Sequence, residues 1–105
     1  MKVILYAPGK KRRLVEVPNT LPTLQATVGG YIETLRLTDE LVLVCDEEGK
    51  LKGKPATAYL FDRNGRRYDC VVGTFFVCRI RSEKFVSADF ADMGTTAPYI
   101  KQIIC

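Results

Sequence analysis

The stretch with the most chemistry is YDCVVGTFFVCRIR, which runs from Tyr68 to Arg81 and carries two thiols, a phenol and two guanidiniums. The sequence has no histidine, so it lacks the base of a Ser-His or Cys-His pair and cannot form a histidine-containing zinc site. A lone thiol such as Cys45 or Cys105 would have no evident base. The four cysteines, which lack C-x-x-C spacing, are Cys45, Cys70, Cys78 and Cys105. We therefore predict a protein that is not an enzyme, with no catalytic residue, metal or cofactor.

Carboxylates and glycines form two further candidate sites. Asp46, Glu47 and Glu48 are adjacent and could share a proton or bind a metal, but they fall in a turn, and we interpret them as solvated surface. Gly29 and Gly30 follow a helical pattern, the reverse of the order in a phosphate-binding loop. We interpret this pair as the end of a helix.

Basic residues are the remaining signal for a binding site. Sixteen lysines and arginines against twelve acidic residues give a formal charge of +4, which favours anionic partners. Guanidiniums and ammoniums bind phosphate, and an adjacent aromatic ring can stack on a base. The alternative is that the cations are solvated surface and the rings complete the rim of the core. The predicted ligand-binding residues are Arg63, Arg66, Arg67, Lys50, Lys52, Tyr59 and Tyr68.

The elements that would position these residues are mostly strands. Hydrophobic patterning predicts strands at 2–6, 11–17, 31–37, 41–46 and 85–87, with 11–17 at an edge and 41–46 in the middle of the sheet. A helix is predicted after a cap at Asn19 or Thr20, with apolar residues at helical spacing up to residue 28. A helical turn is predicted at 88–93 and a short C-terminal helix at 98–104. Gly53 and Pro55 predict an irregular segment at 51–60, and 62–65 is predicted as a turn.

We interpret residues 68–81 as one continuous central strand, because both of its faces are mainly apolar. Gly73 would be a bulge or a close backbone approach. In such a strand Cys70 and Cys78 would lie roughly 26 Å apart, too far for a disulfide. Only a hairpin bent near Gly73 would bring them together. We predict that the thiols are unpaired and hidden inside the sheet, with disulfides as the alternative.

Together these elements predict a single α+β domain over residues 1–105. It would contain a mainly antiparallel twisted sheet of five or six strands, one helix after the first hairpin and a short C-terminal helix. Two short helices can cover only one face of such a sheet. Either the sheet curls like a half-barrel or a second copy packs against it, so we predict a homo-oligomer. Without a long apolar run or a signal-peptide pattern, we expect no membrane contact and a cytoplasmic location.

Three segments carry a family resemblance: LQATVGGYIETL, CDEEGKLKGKP and VVGTFFV, in this order. They resemble domain of unknown function 3846, a family of small proteins from bacteria, plasmids and bacteriophages. The resemblance implies no enzymatic activity, cofactor or catalytic residue. It implies a mobile-element setting, in which small accessory proteins often bind and disable host components, and for a phage-encoded protein it implies the cytoplasm of the host cell.

Two functional hypotheses follow. The first is a non-enzymatic binding protein that sequesters an anionic, nucleotide-like ligand, such as a host defence signal, in pockets between subunits, through the basic and aromatic residues named above. The second is a module that docks on a host protein or on nucleic acid with the same basic surface. Nucleic-acid binding would weaken steeply with salt, whereas other docking need not.

Overall fold

A computed structural model describes residues 1–103 of the chain as an α+β fold, as predicted. The strands are β1 (Lys2–Ala7), β2 (Lys10–Glu16), β3 (Ile32–Arg36), β4 (Leu41–Asp46), β5 (Ala56–Phe61), β6 (Arg67–Val72), β7 (Phe75–Arg81), β8 (Lys84–Val86) and β9 (Ile100–Gln102). The helices are α1 (Leu21–Val28) and α2 (Phe90–Thr96). Neither helix has the length and apolar composition needed to cross a bilayer, within the residues described.

Six strands form the larger sheet, which is antiparallel throughout. Five of them lie in the order β2-β1-β7-β4-β3, and β8 pairs with β7. The predicted hairpins β1–β2 and β3–β4 are confirmed, as is the edge position of β2. All six residues of β4 are buried, which confirms that both faces of this strand are covered.

Helix α1 covers one face of the larger sheet. The hydroxyl of Thr20 accepts the N–H of Thr23 at the helix start, and Gly29, at φ 82°, ends the helix in the left-handed conformation that glycine tolerates best. Leu24 and Val28 are buried against the sheet residues that share this core, which are Val3, Val42, Val44, Phe76 and Cys78. The predicted helix and its caps are thus confirmed.

A second sheet, in the order β6-β5-β9, covers the opposite face and was not predicted. The core between the sheets contains Tyr6, Leu43, Leu60, Val71 and Phe75 among others, and the rings of Tyr6 and Phe75 stack with centroids 4.6 Å apart. The predicted irregular segment 51–60 is wrong over its second half, because β5 begins at Ala56.

The predicted continuous strand 68–81 is also wrong. Gly73, at φ 71°, breaks it into β6 of the smaller sheet and β7 of the larger one, so the chain changes sheets at this glycine. The position of β7 between β1 and β4 confirms that its half of the stretch is central. The hairpin alternative also fails, because β6 and β7 do not pair.

Near the C-terminus the helix lies earlier than predicted. The helical turn expected at 88–93 is part of α2, whose capping box joins Asp89 and Asp92. The helix predicted at 98–104 is wrong for its described part, because Ile100–Gln102 is β9 and pairs with β5. The backbone of Leu60 lies opposite Ile100, and this long-range pairing overrides the local apolar spacing. Residue 104 lies outside the described residues.

The second sheet removes the reason for which a second copy was invoked. The face that seemed to need covering is buried inside the same chain, against β5, β6 and β9. The homo-oligomer therefore stays a prediction without that support. Cys45, Cys70 and Cys78 are unpaired, as predicted, and Cys105 lies outside the described residues.

Candidate functional site

A cleft of about 360 Å³ lies where the β3–β4 turn of the larger sheet meets the β5–β6 turn of the smaller one. This volume is within the range of small-ligand pockets, which is roughly 300–1,000 Å³. The cleft is lined by two arginines, two aspartates and three aromatic residues, among others. Its lining residues are Arg36, Leu37, Thr38, Asp39, Phe61, Asp62, Arg63, Tyr68 and Tyr99.

The backbone of the two turns positions the polar side chains of the cleft. Asp62 accepts the N–H groups of Asn64 and Arg66 on one carboxylate oxygen, both at 2.9 Å, which fixes the turn that carries Arg63. Arg36 donates to the carbonyl of Asp39 at 3.0 Å. The two arginines therefore enter the cleft from opposite sheets, Arg36 from the end of β3 and Arg63 from the β5–β6 turn.

Tyr68 reaches the cleft because of an irregularity in strand pairing. Leu60 lies opposite Asp69, and the next residue, Phe61, lies opposite Arg67, so Tyr68 has no opposing residue on β5. An unpaired residue of this kind interrupts the alternation of side chains between the two faces of a strand, so its own side chain can point in a different direction. Tyr68 is 53% exposed. Its phenol pKa is raised, first by partial burial and then by the charges of Asp69 and Asp62.

Two more of the predicted residues lie on the outer face of the smaller sheet, which we define as the side turned away from the larger sheet. Arg67 lies 4.7 Å from the ring centroid of Tyr59. Beside them, Lys101 lies 5.0 Å from the ring centroid of Phe61. Arg66 is exposed in the β5–β6 turn and does not line the cleft.

The predicted lysines are engaged in ion pairs away from this cleft. Lys50 Nζ lies 2.8 Å from Asp69 Oδ1, and this bond raises the pKa of Lys50. Lys52 Nζ lies 2.8 Å from Asp46 Oδ2 and also donates to the carbonyl of Gly29. The structure therefore places Arg63 and Tyr68 together but gives Lys50 and Lys52 other contacts.

Asp46 corrects the interpretation of the acidic turn as solvated surface. Its side chain is only 2% exposed and also lies 2.6 Å from Lys54 Nζ. Burial opposes ionisation, but the hydrogen bonds from Lys52 and Lys54 outweigh it and hold the pKa of Asp46 well below its usual value. Glu47 and Glu48 are exposed, as predicted.

The three segments that carried the resemblance converge on this buried carboxylate. Lys54 donates to the carbonyl of Val28, so the two lysines satisfy carbonyls at the end of α1 while they pair with Asp46. A Cβ on Gly30 would lie 2.5 Å from Asp46 Oδ1, and one on Gly73 would lie 2.7 Å from Lys54 Cδ. The ion pairs and hydrogen bonds of Asp46, Lys52 and Lys54 therefore connect the end of α1, the loop before β5 and the larger sheet.

The thiols occupy different environments. Cys78 is fully buried, and burial raises its pKa to about 12. Burial, assisted by the charges of Glu33 and Asp46, raises the pKa of Cys45 to about 11. Cys70 contradicts the prediction of hidden thiols, because it is half-buried and lines a cleft of about 120 Å³ beside the Lys50–Asp69 pair. Within residues 1–103, no three potential metal ligands of the His, Cys, Asp and Glu types come together.

A comparison with known families assigns the chain. The sequence model of one family, described as Domain of unknown function (DUF3846), matches residues 1–102. The chain belongs to this family. The resemblance drawn from its three segments is thus confirmed. No curated protein and no solved structure matches the chain.

Sequence reasoning missed several residues of the cleft of this DUF3846 protein. Arg36, Asp39 and Tyr99 come from two segments that were predicted only as strand, turn or helix. Their one local signal is position, because Arg36 ends β3, Asp39 lies in the β3–β4 turn and Tyr99 immediately precedes β9. Their convergence with Arg63 depends on the pairing of the second sheet, which no local pattern indicates.

Proposed function

We propose that this DUF3846 protein is a non-catalytic binding protein that sequesters an anionic, nucleotide-like ligand in the cleft between its two strand turns. The observation that carries the proposal is that Arg36 and Arg63 meet the rings of Tyr68 and Tyr99 in one open cleft of about 360 Å³, with Phe61 at its border. Guanidiniums bind phosphate bidentately, and aromatic rings bind flat bases.

The two carboxylates of the cleft refine the ligand class. Asp39 and Asp62 balance the formal charge of the two arginines, so the cleft is not a simple anion trap. Asp62 already accepts two backbone N–H groups, which leaves Asp39 as the more available acceptor. A ligand with a phosphate, a flat ring and hydroxyl or amino donors would use all of these groups. A nucleotide has this combination, and inorganic phosphate has only the first part.

We expect Arg63 and Tyr68 to contribute directly to ligand binding in the cleft. Arg63→Ala should weaken binding of adenosine monophosphate, measured by isothermal titration calorimetry, by about tenfold or more, because hydrogen bonds to charged groups contribute roughly 1.5–3 kcal/mol each. Tyr68→Ala should weaken it through lost stacking. Arg81→Ala removes an exposed arginine outside the cleft and should leave the affinity for adenosine monophosphate unchanged.

The ligand series separates the parts of the proposal. Adenosine tests the ring without phosphate, and ribose 5-phosphate tests the phosphate without the ring; both should bind more weakly than the nucleotide. The proposed binding site would be contradicted if all three ligands bound with equal affinity, or if no ligand of the series bound. Ligand released intact when the complex is denatured would support sequestration, whereas chemically altered ligand would contradict the non-catalytic part.

Native mass spectrometry of protein purified from its natural cell would report the number of subunits and any retained ligand together. The cleft is built from one chain, so the proposal expects one ligand per chain at every oligomeric state. In a mobile-element setting, the retained ligand would be a host defence signal.

A further inference from the structure

The outer face of the smaller sheet carries a second arrangement of cations and rings. Tyr59 and Phe61 are two residues apart on β5, the central strand of this sheet, so their Cα atoms lie about 6.6 Å apart. Their neighbours Ala58 and Leu60 are buried in the core between the sheets. Alternation therefore places both rings on the face turned away from that core.

The cations on this face come from the two flanking strands. Arg67 belongs to β6 and lies opposite Phe61, yet its guanidinium lies over the ring of Tyr59. Lys101 belongs to β9 and lies opposite Tyr59, yet its ammonium lies over Phe61. Each cation therefore lies over the ring of its diagonal neighbour on β5 and not over the ring directly opposite.

The charge of this face is of one sign. Asp69, the acidic residue of these three strands, lies opposite the buried Leu60 and pairs with Lys50 at the edge. No carboxylate within residues 1–103 forms an ion pair with Arg67 or Lys101. A partner that matches this face therefore combines negative charge with flat rings.

We propose that the outer face of the smaller sheet binds single-stranded nucleic acid. In the free protein Arg67 and Lys101 lie over the rings of Tyr59 and Phe61; on binding, these two cations turn to the phosphates and leave the ring faces to successive bases. Sheet surfaces with aromatic rings on adjacent positions bind single strands in this way, because every base has a face that can stack. A duplex hides its bases between its strands and cannot stack on the two rings. This site is separate from the proposed nucleotide function of the cleft, although Phe61 borders both.

The test is fluorescence anisotropy with a labelled oligo(dT) of about 12 nucleotides, within the size range of single-strand sites. Tyr59→Ala should weaken binding about fivefold or more through the loss of one stacked base. Tyr59→Phe keeps the ring and should bind like the unmodified protein, which separates stacking from misfolding. Tyr31→Ala removes an exposed tyrosine next to β3 and should change nothing.

Salt dependence tests the cations. Arg67→Gln should reduce the slope of log affinity against log salt by about 0.7, the value for one phosphate contact on a single strand. Arg81→Gln should leave the slope unchanged. The proposal is overturned if oligo(dT) does not bind at low salt, if Tyr59→Ala binds it as tightly as the unmodified protein, or if a duplex of equal length binds as tightly. Arg63→Ala, the cleft variant, should keep its oligo(dT) affinity, so failure at one site is distinguishable from failure at the other.

Discussion

At the scale of the residue, the basic side chains of this chain differ in the groups that they contact. Lys52 and Lys54 meet a carboxylate that is nearly inaccessible to water, whereas Arg67 and Lys101 meet aromatic rings on an open face. The first arrangement contributes to folding, because a buried carboxylate is tolerated only when it is paired and hydrogen-bonded. The second leaves charge on the surface that a ligand can use. Cations of the same type therefore have different roles in this chain.

We expect the buried carboxylate of Asp46 to stabilise the fold. Asp46→Asn removes the charge that Lys52 and Lys54 share, and it should lower the free energy of unfolding by about 2 kcal/mol at pH 7, less than for a fully buried pair because both lysines retain contact with water. Urea denaturation followed by circular dichroism measures this loss. Glu47→Gln, at the exposed neighbouring position, should have little effect.

The same substitution should change the acid response. The pKa of Asp46 is lowered on folding, so its contribution is fully present above its unfolded value of 3.8 and is lost as the pH falls below it toward the folded value. The unmodified protein should therefore lose more stability than Asp46→Asn between pH 5 and pH 3 in the same urea series. Parallel losses in the two proteins would show that the carboxylate of Asp46 is not held ionised by the lysines.

At the scale of the element, glycines mark where segments meet. Gly30→Ala should destabilise the fold by roughly 2 kcal/mol, because the new Cβ would lie 2.5 Å from Asp46 Oδ1 and 2.6 Å from Lys52 Nζ. Gly94→Ala should instead stabilise it by about 0.5–1 kcal/mol, because Gly94 lies in α2 with open space around its Cα. Thermal and urea unfolding of both variants gives the comparison. If Gly30→Ala were as stable as the unmodified protein, the close contact at the end of α1 would not constrain the fold.

The elements also show where prediction from sequence succeeds. The hairpins, α1 and the buried strand β4 follow from local signals, namely alternation, a Thr20 cap, the Gly29 stop and an unbroken apolar run. The second sheet does not, because β9 pairs with β5 across a long stretch of chain, with Ile100 opposite Leu60, although β5 and β6 form a local hairpin. The apolar pattern on either side of Gly73 is the same whether one strand continues through the glycine or the chain passes there from one sheet to the other. The sequence therefore could not distinguish the two.

The candidate site was predictable only in part, for the same physical reason. The Asn-Gly turn with Arg63 and the aromatic residues near it were visible in the sequence. The partners that complete the cleft, Arg36 and Tyr99, come from turns brought together by sheet packing. Lys50 and Lys52 were predicted with them, but they lie in ion pairs with Asp69 and Asp46, which a sequence does not show.

At the scale of the whole molecule, two cores share one sheet. Cys45 belongs to the core between the sheets, and Cys78 belongs to the core beneath α1. Because β4 and β7 are paired through Leu41–Val44, neither core can open widely without disturbing the common sheet. We therefore expect both cores to be lost in a single cooperative transition, as is usual for a domain of this size.

Thiol labelling measures this cooperativity directly. Cys70 should react first with a maleimide in the native protein, because it is half-buried beside an open cleft. Cys45 and Cys78 should react slowly, because burial raises their pKa to about 11 and about 12 and limits access. Peptide mapping by mass spectrometry assigns each site across a urea series. If the two cores open together, the rates of Cys45 and Cys78 should rise with the same dependence on urea. Labelling of Cys45 at low urea while Cys78 stays protected would show instead that the smaller sheet separates from the larger one before the molecule unfolds, and the cleft between their turns would then open with it.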